Sequence, residues 1–164
     1  MRRISRISAT ALMLTSMGAN AFAAPVNSAR CPSSEDMFAV RTAIVQQSLM
    51  VAAFSCNAIK LYNKFVTTYQ RDLQASDVAL QMFFSRLNGQ SGIANYHSFK
   101  TQLANTSSIQ SGRDPRTYCA NAQATFDAAL AKKNSLKTFI AGQAIARDDA
   151  VSPCQLSTNN TLHR

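Results

Sequence analysis

The 164-residue chain holds no tryptophan, a single glutamate, two histidines, five glycines and four prolines. So little glycine and proline leaves too few turns for a sandwich or barrel, β-branched residues are sparse, and no alternating run exceeds a few positions. The one glutamate, Glu35, stands with Asp36 at a helix start, where the positive end of the dipole accounts for both. Paired-carboxylate catalysis therefore has few candidates, and Asp148-Asp149 reads as a solvated stretch near the end of the chain. The histidines, His97 and His163, stand alone, and the cysteines lack the short C-x-x-C spacing of a structural zinc site. No S-x-x-K or H-E-x-x-H occurs, and Gly89-Gln90-Ser91-Gly92 is one residue short of a nucleophile elbow. His97, beside Tyr96 and Lys100 on an amphipathic helix, is expected to be partly exposed or hydrogen-bonded rather than a catalytic base. These shortages assign no catalytic, cofactor-binding or metal-ligating residue. They argue against an enzyme and imply no cofactor.

Acid is also missing from the whole N-terminal stretch: Arg2, Arg3 and Arg6 precede any carboxylate, and the first is Glu35. A moderately apolar run, Ile7 to Ala19, follows and ends at Ala21-Phe22-Ala23. Small residues three positions and one position before the cut suit a signal peptidase, so residues 1–23 read as a signal peptide cleaved after Ala23. A twin-arginine route is disfavoured because Ile4-Ser5-Arg6 lacks the expected apolar pair. A mitochondrial transit peptide also fits an Arg- and Ser-rich leader, though less well than export. Cys31 follows Ser28-Ala29-Arg30, which is no lipobox. No other segment reads as long and apolar enough to reach the about 20 residues of a bilayer span. The expected location is periplasmic or secreted, with no transmembrane span.

Four cysteines, Cys31, Cys56, Cys119 and Cys154, fall beyond the leader. An even number in an oxidising compartment reads as two disulfides, for which three connectivities exist. The favoured one joins Cys56 to Cys119, the end of one helix to the start of another. It then joins Cys31 to Cys154, each beside a proline (Pro32, Pro153) in the segments flanking the domain.

The helical pattern is read as follows. Residues 24–33 form an extended lead-in, and Ser34 caps a first helix that is apolar almost all round over Leu49-Met50-Val51-Ala52-Ala53-Phe54, hence central. Asn57 breaks it. Ile59, Tyr62, Val66, Tyr69 and Leu73 then mark one amphipathic helix, and Ser76-Asp77 caps a third carrying Leu80, Phe83, Phe84 and Leu87 up to Asn88-Gly89. A connector, Gln90-Ser91-Gly92, leads to a fourth helix edged by Ile93, Tyr96, Phe99 and Leu103, which fades at Asn105-Thr106-Ser107-Ser108. Asp114-Pro115 starts a fifth over residues 115–133, and Asn134-Ser135 caps a short segment, Leu136 to Ile140, halting near Gly142. The expected fold is all-α: a single disulfide-stapled bundle of about five helices over residues 34–154, with an irregular C-terminal tail, residues 155–164 being flexible.

Formal charge is +9, falling to +6 without Arg2, Arg3 and Arg6. In an exported protein this favours an anionic envelope surface, or an envelope protein, over nucleic acid as a partner. Lys60, Lys64, Arg71 and Lys100, interleaved with Tyr62 and Phe65, are the candidates for contact with an anionic surface. An ordinary amphipathic helix with solvated lysines accounts for the same pattern.

The segments Cys31-Pro32, Val40-Arg41-Thr42-Ala43, Leu49 to Cys56, Tyr62-Asn63-Lys64-Phe65 and Tyr118-Cys119 resemble a family of small exported bacterial helical proteins with four cysteines. That family has no assigned activity. The resemblance covers most of residues 31–140 and implies export and a helical fold, but no functional residue. The expected role is non-catalytic, structural or binding. The alternatives are a chaperone-like envelope stress protein with an apolar groove and a cell-wall hydrolase. N-terminal sequencing of the protein recovered from an exporting host should begin at Ala24; a first residue of Met1 would overturn the leader assignment.

Overall fold

The helical path begins at Ser33, whose Oγ accepts the Asp36 N–H at 3.1 Å while the Asp36 carboxylate accepts the Ser33 N–H at 2.7 Å. The cap is therefore Ser33 and not Ser34, because a reciprocal capping box closes only when its acid stands three residues on. In the computed structural model, which describes residues 31–131 and 135–143, α1 spans Ser34–Ser55. Of the lead-in, only residues 31–33 are described. The leader and residues 144–164, including the tail, lie outside the described residues.

Helix α1 touches every other α-helix. Val40, Leu49 and Ala52 are fully enclosed, and Ala39, Ala43 and Ala53 let neighbours approach its backbone closely. By length and composition α1 is apolar enough to cross a membrane, with half of its most apolar window buried inside the protein. This corrects the expectation that no segment beyond the leader qualifies. Here the helix is a core, wrapped by the rest of the chain.

Asn57 ends α1 as expected. It adopts left-handed backbone (φ 55°), and the N–H of Ala58 returns to the Ala53 carbonyl at 3.0 Å in a Schellman closure. α2 spans Ile59–Thr68 and α3 spans Gln70–Asn88. The break between them falls at Tyr69, not at Ser76-Asp77. Ser76 is buried within α3, and the Asp77 carboxylate is drawn into tertiary bonds instead of capping its own helix. Gly89 carries φ 54°, outside the range favourable to a side chain, and opens a 3-10 turn, Gly89–Ser91.

α4 spans Gly92–Arg113 and so runs straight through the polar stretch where it was expected to fade. Ser108 Oγ donates to the Ala104 carbonyl and Thr101 Oγ1 to that of His97, so these hydroxyls are satisfied by the helix itself. Gly92 is required by packing: a Cβ there would stand 2.4 Å from the Ser85 Cα. Asp114 caps α5, Pro115–Ala129, accepting the Thr117 N–H, with Pro115 in the first turn. α5 closes at Ala129, four residues before its expected limit of 133, with Leu130 as its cap. Ser135 caps the short α6, Leu136–Ala141. Among the described residues all regular structure is helical.

The core divides along α1. Its C-terminal half joins Phe65, Tyr69, Phe126, Leu136, Phe139 and Ile140 from α2, α5 and α6 and the Tyr69 break, while its N-terminal half joins Leu80, Phe83 and Tyr96 from α3 and α4. Phe65 meets both Tyr69 and Phe139 edge-on, at centroid distances of 5.6 and 6.2 Å. The Cys56–Cys119 disulfide fastens the C-cap of α1 to α5, as expected. Cys31 is also disulfide-bonded, and Cys154 lies outside the described residues. Because the Cys56–Cys119 bridge closes 63 residues of chain, replacing both with serine should lower stability by about 4 kcal/mol in the chain-entropy model. Guanidinium unfolding of the double variant measures it, and an unchanged midpoint would contradict that role.

Candidate functional site

Two clusters of charged side chains lie between the helices, and neither is a run in sequence. Asp36, buried behind the start of α1, accepts from Arg86 Nη2 at 2.6 Å in addition to its bonds with Ser33. Arg86 also lies over the Phe83 ring at 5.8 Å. Burial opposes ionisation of Asp36, but the Ser33 N–H, the Arg86 hydrogen bond, the Ser33 hydroxyl and the Arg86 charge together outweigh it and hold the carboxyl below its ordinary range. The dipole account of Asp36 is thus incomplete, since this side chain also pins α3 to α1. Glu35, its neighbour, is exposed.

The second cluster joins α3 to α4. Tyr96 Oη donates to Asp77 Oδ1 at 2.7 Å, and Lys100 Nζ donates to the same oxygen at 2.8 Å while standing 3.1 Å from Tyr96 Oη. Gln81 Nε2 adds a bond to Asp77 Oδ2 at 3.2 Å. Burial again works against charge on Asp77, and Lys100, Tyr96 and Gln81 overcome it, so its carboxyl is held low. For Lys100 desolvation works against the ammonium, and Asp77 and Tyr96 outweigh it, so its ionisation is displaced upward. The nearby Tyr62 phenol is pushed up by burial, opposed by a hydrogen bond with Gln46 and by the Lys100 charge.

A groove of about 430 Å³ opens beside this cluster, lined by Gln46, Val66, Gln70, Leu73, Asp77 and Lys100. A second cleft, about 370 Å³, lies among α1, α4 and α5 and presents neutral groups such as Ser48, Gln110, Asn121 and Gln143. Tyr118 spans it, donating to the Ser48 carbonyl at 2.9 Å. Among the described residues every buried side-chain nitrogen and oxygen has a hydrogen-bond partner, and no three metal-ligating side chains converge.

The four cations singled out in the sequence do not form one surface. Lys60 and Lys64 are exposed on α2 and Arg71 is exposed at the start of α3, whereas Lys100 is half-buried in its ion pair with Asp77. Lys100 is therefore withdrawn from the anionic-surface set, because its ammonium already neutralises an internal carboxylate. His97 is exposed, as expected of its helix face, with its ring 4.9 Å from that of Tyr96. Gly89-Gln90-Ser91-Gly92 forms the turn between α3 and α4, and Asp148-Asp149 lies outside the described residues. Sequence reading missed both ion-pair clusters. The available hints were local, Asp77 with Gln81 and Tyr96 with Lys100, each four apart on one helix face.

No family model, curated protein or solved structure matches this chain.

Both carboxyls being held low fixes a pH dependence. Stability that Asp36 and Asp77 contribute is present above their unfolded range near 4 and is lost as pH falls through the lower folded values. Lys100 adds the opposite arm: its contribution is full below its unfolded range near 10.5 and fades as pH rises through the higher folded value. Arg86→Met should cost about 2 kcal/mol at neutral pH and flatten the acid limb of a thermal-melt series. Lys100→Met, at a partly exposed pair, should cost about 1 kcal/mol and flatten the alkaline limb. Melting curves across pH that keep the parent's shape in both variants would contradict these assignments.

Proposed function

We propose that this is an exported protein, cut behind Ala23 and held by disulfides in a periplasmic or extracellular setting, which acts there by binding and not by catalysis. The observation that carries the reading is the Cys56–Cys119 bridge, which is compatible with an oxidising compartment. The acid-free leader with its Ala21-Phe22-Ala23 cut site supports the same compartment, as does the resemblance to exported four-cysteine proteins.

The internal charges support the binding half. Asp36 and Asp77 are each held ionised by a cation and by hydrogen bonds from neighbouring groups, and each ties α3 to another helix. A general acid for cell-wall hydrolysis needs the reverse, a carboxyl kept protonated near neutral pH by an apolar surrounding. These carboxylates serve as struts. What faces outward is a set of cations, Lys60, Lys64 and Arg71, without an ion pair among the described residues and suited to an anionic surface of the envelope.

Osmotic shock of expressing cells should release the protein, and alkylation under denaturing, non-reducing conditions should leave all four cysteines unlabelled. A product retained in the cytosol with four reactive thiols would overturn the proposal.

A further inference from the structure

One end of the bundle combines exposed apolar side chains with cations that, among the described residues, make no ion pair. Phe54, in the last turn of α1, is 75% exposed, and Ile59, the first residue of α2, is 46% exposed. The Schellman closure at Asn57 turns the chain tightly between them. Lys60 and Lys64 follow on α2, one turn apart and both exposed.

The Cys56–Cys119 bridge brings the start of α5 to the same end. Thirteen residues after Cys56 and ten after Cys119, Tyr69 Oη donates to the Ala129 carbonyl, so α2 and α5 run in the same direction. Ile59 and Lys60, at the start of α2, therefore lie at the same end of the bundle as the start of α5, where Arg116 is exposed, and as Arg113, exposed at the end of α4. No acidic residue occurs from position 37 to 71. Asp114, an exposed carboxylate at this end, accepts the Thr117 N–H of its own helix. Among the described residues none of Lys60, Lys64, Arg113 and Arg116 makes an ion pair.

We propose that this stapled end, Phe54 and Ile59 ringed by Lys60, Lys64, Arg113 and Arg116, docks on an anionic lipid bilayer. The cations are drawn to the headgroups and the two apolar side chains enter the boundary beneath them, a division of labour common to proteins that lie on membranes. The disulfide holds the two halves of the surface together. This deepens the reading of the protein as a binder of anionic envelope surfaces and rests on it for its setting.

Flotation of the oxidised full chain with phosphatidylglycerol vesicles, and separately with phosphatidylcholine vesicles, tests the proposal at low and high salt. Binding should favour the anionic vesicles and fall with salt. Lys60→Glu and Lys64→Glu should each weaken it about tenfold, and Phe54→Ser should weaken it with unchanged helicity. Arg41→Glu makes the same change in net charge at an exposed position on α1, thirteen residues before Phe54 and away from this end, and should leave binding near the parent's. Equal binding to neutral vesicles, an Arg41→Glu effect as large as that of Lys60→Glu, or parent-like binding by Lys60→Glu and Phe54→Ser would each overturn it. Capture by a soluble polyanion that is insensitive to Phe54→Ser, in place of vesicle binding, would overturn it in favour of a glycan or nucleic-acid contact. Export is judged separately, by the N-terminus and thiol state of the cellular protein, so either reading can fail alone.

Discussion

The constraint on which the rest of the structure depends is that α1 is apolar on several sides and must bury most of them. A 22-residue helix carrying Val40, Val45, Leu49, Ala52 and Ala53 needs neighbours along both of its halves, with Arg41 and Phe54 left outside. Each large side chain enclosed there contributes on the order of 2 kcal/mol. Five helices meet this demand, two on the N-terminal half and three on the C-terminal half, so the molecule has two adjoining clusters threaded by one helix. Small residues along α1 set how closely its partners come. The same economy appears where α3 and α4 meet, at Gly92 against Ser85.

Charge plays a positional part inside this arrangement. An amphipathic helix packed only by apolar contacts can slide or rotate, because hydrophobic attraction has no direction. Asp36 with Arg86 joins α1 to α3, and Asp77 with Tyr96 and Lys100 joins α3 to α4. Tyr69 to Ala129 and Tyr118 to Ser48 do the same for the other cluster, with phenol hydroxyls donating to backbone carbonyls. Hydrogen bonds of defined geometry thus fix the angular setting of helices whose proximity is set by apolar burial. With these carboxylates committed, the groove beside Lys100 is edged by an ion pair, while Lys60, Lys64 and Arg71 stay in solvent.

The bridge between Cys56 and Cys119 acts at the one place where the chain reverses most sharply after α1. It fixes the end of α1, and with it the turn into α2, beside the start of α5.

The sequence by itself determined the helical class, the central place of α1, the favoured Cys56–Cys119 pairing, and most helix starts. Those starts are written locally: Asp114-Pro115 and Ser135 work through bonds that span three residues, and such spacing survives any tertiary arrangement. Even the misplaced first cap was an error of one position. Tertiary structure decided the break at Tyr69, where no turn residue announces it and where the phenol is bound across the core to Ala129. It also decided that Ser76-Asp77, a good local cap, would lie inside a helix, because Asp77 gains more from Tyr96 and Lys100 than from its own backbone. Lys100 turned inward for the same reason, while Lys60 and Lys64 stayed in water. Local bonds are legible because their partners are neighbours in sequence. Partners that meet only through folding leave no such mark.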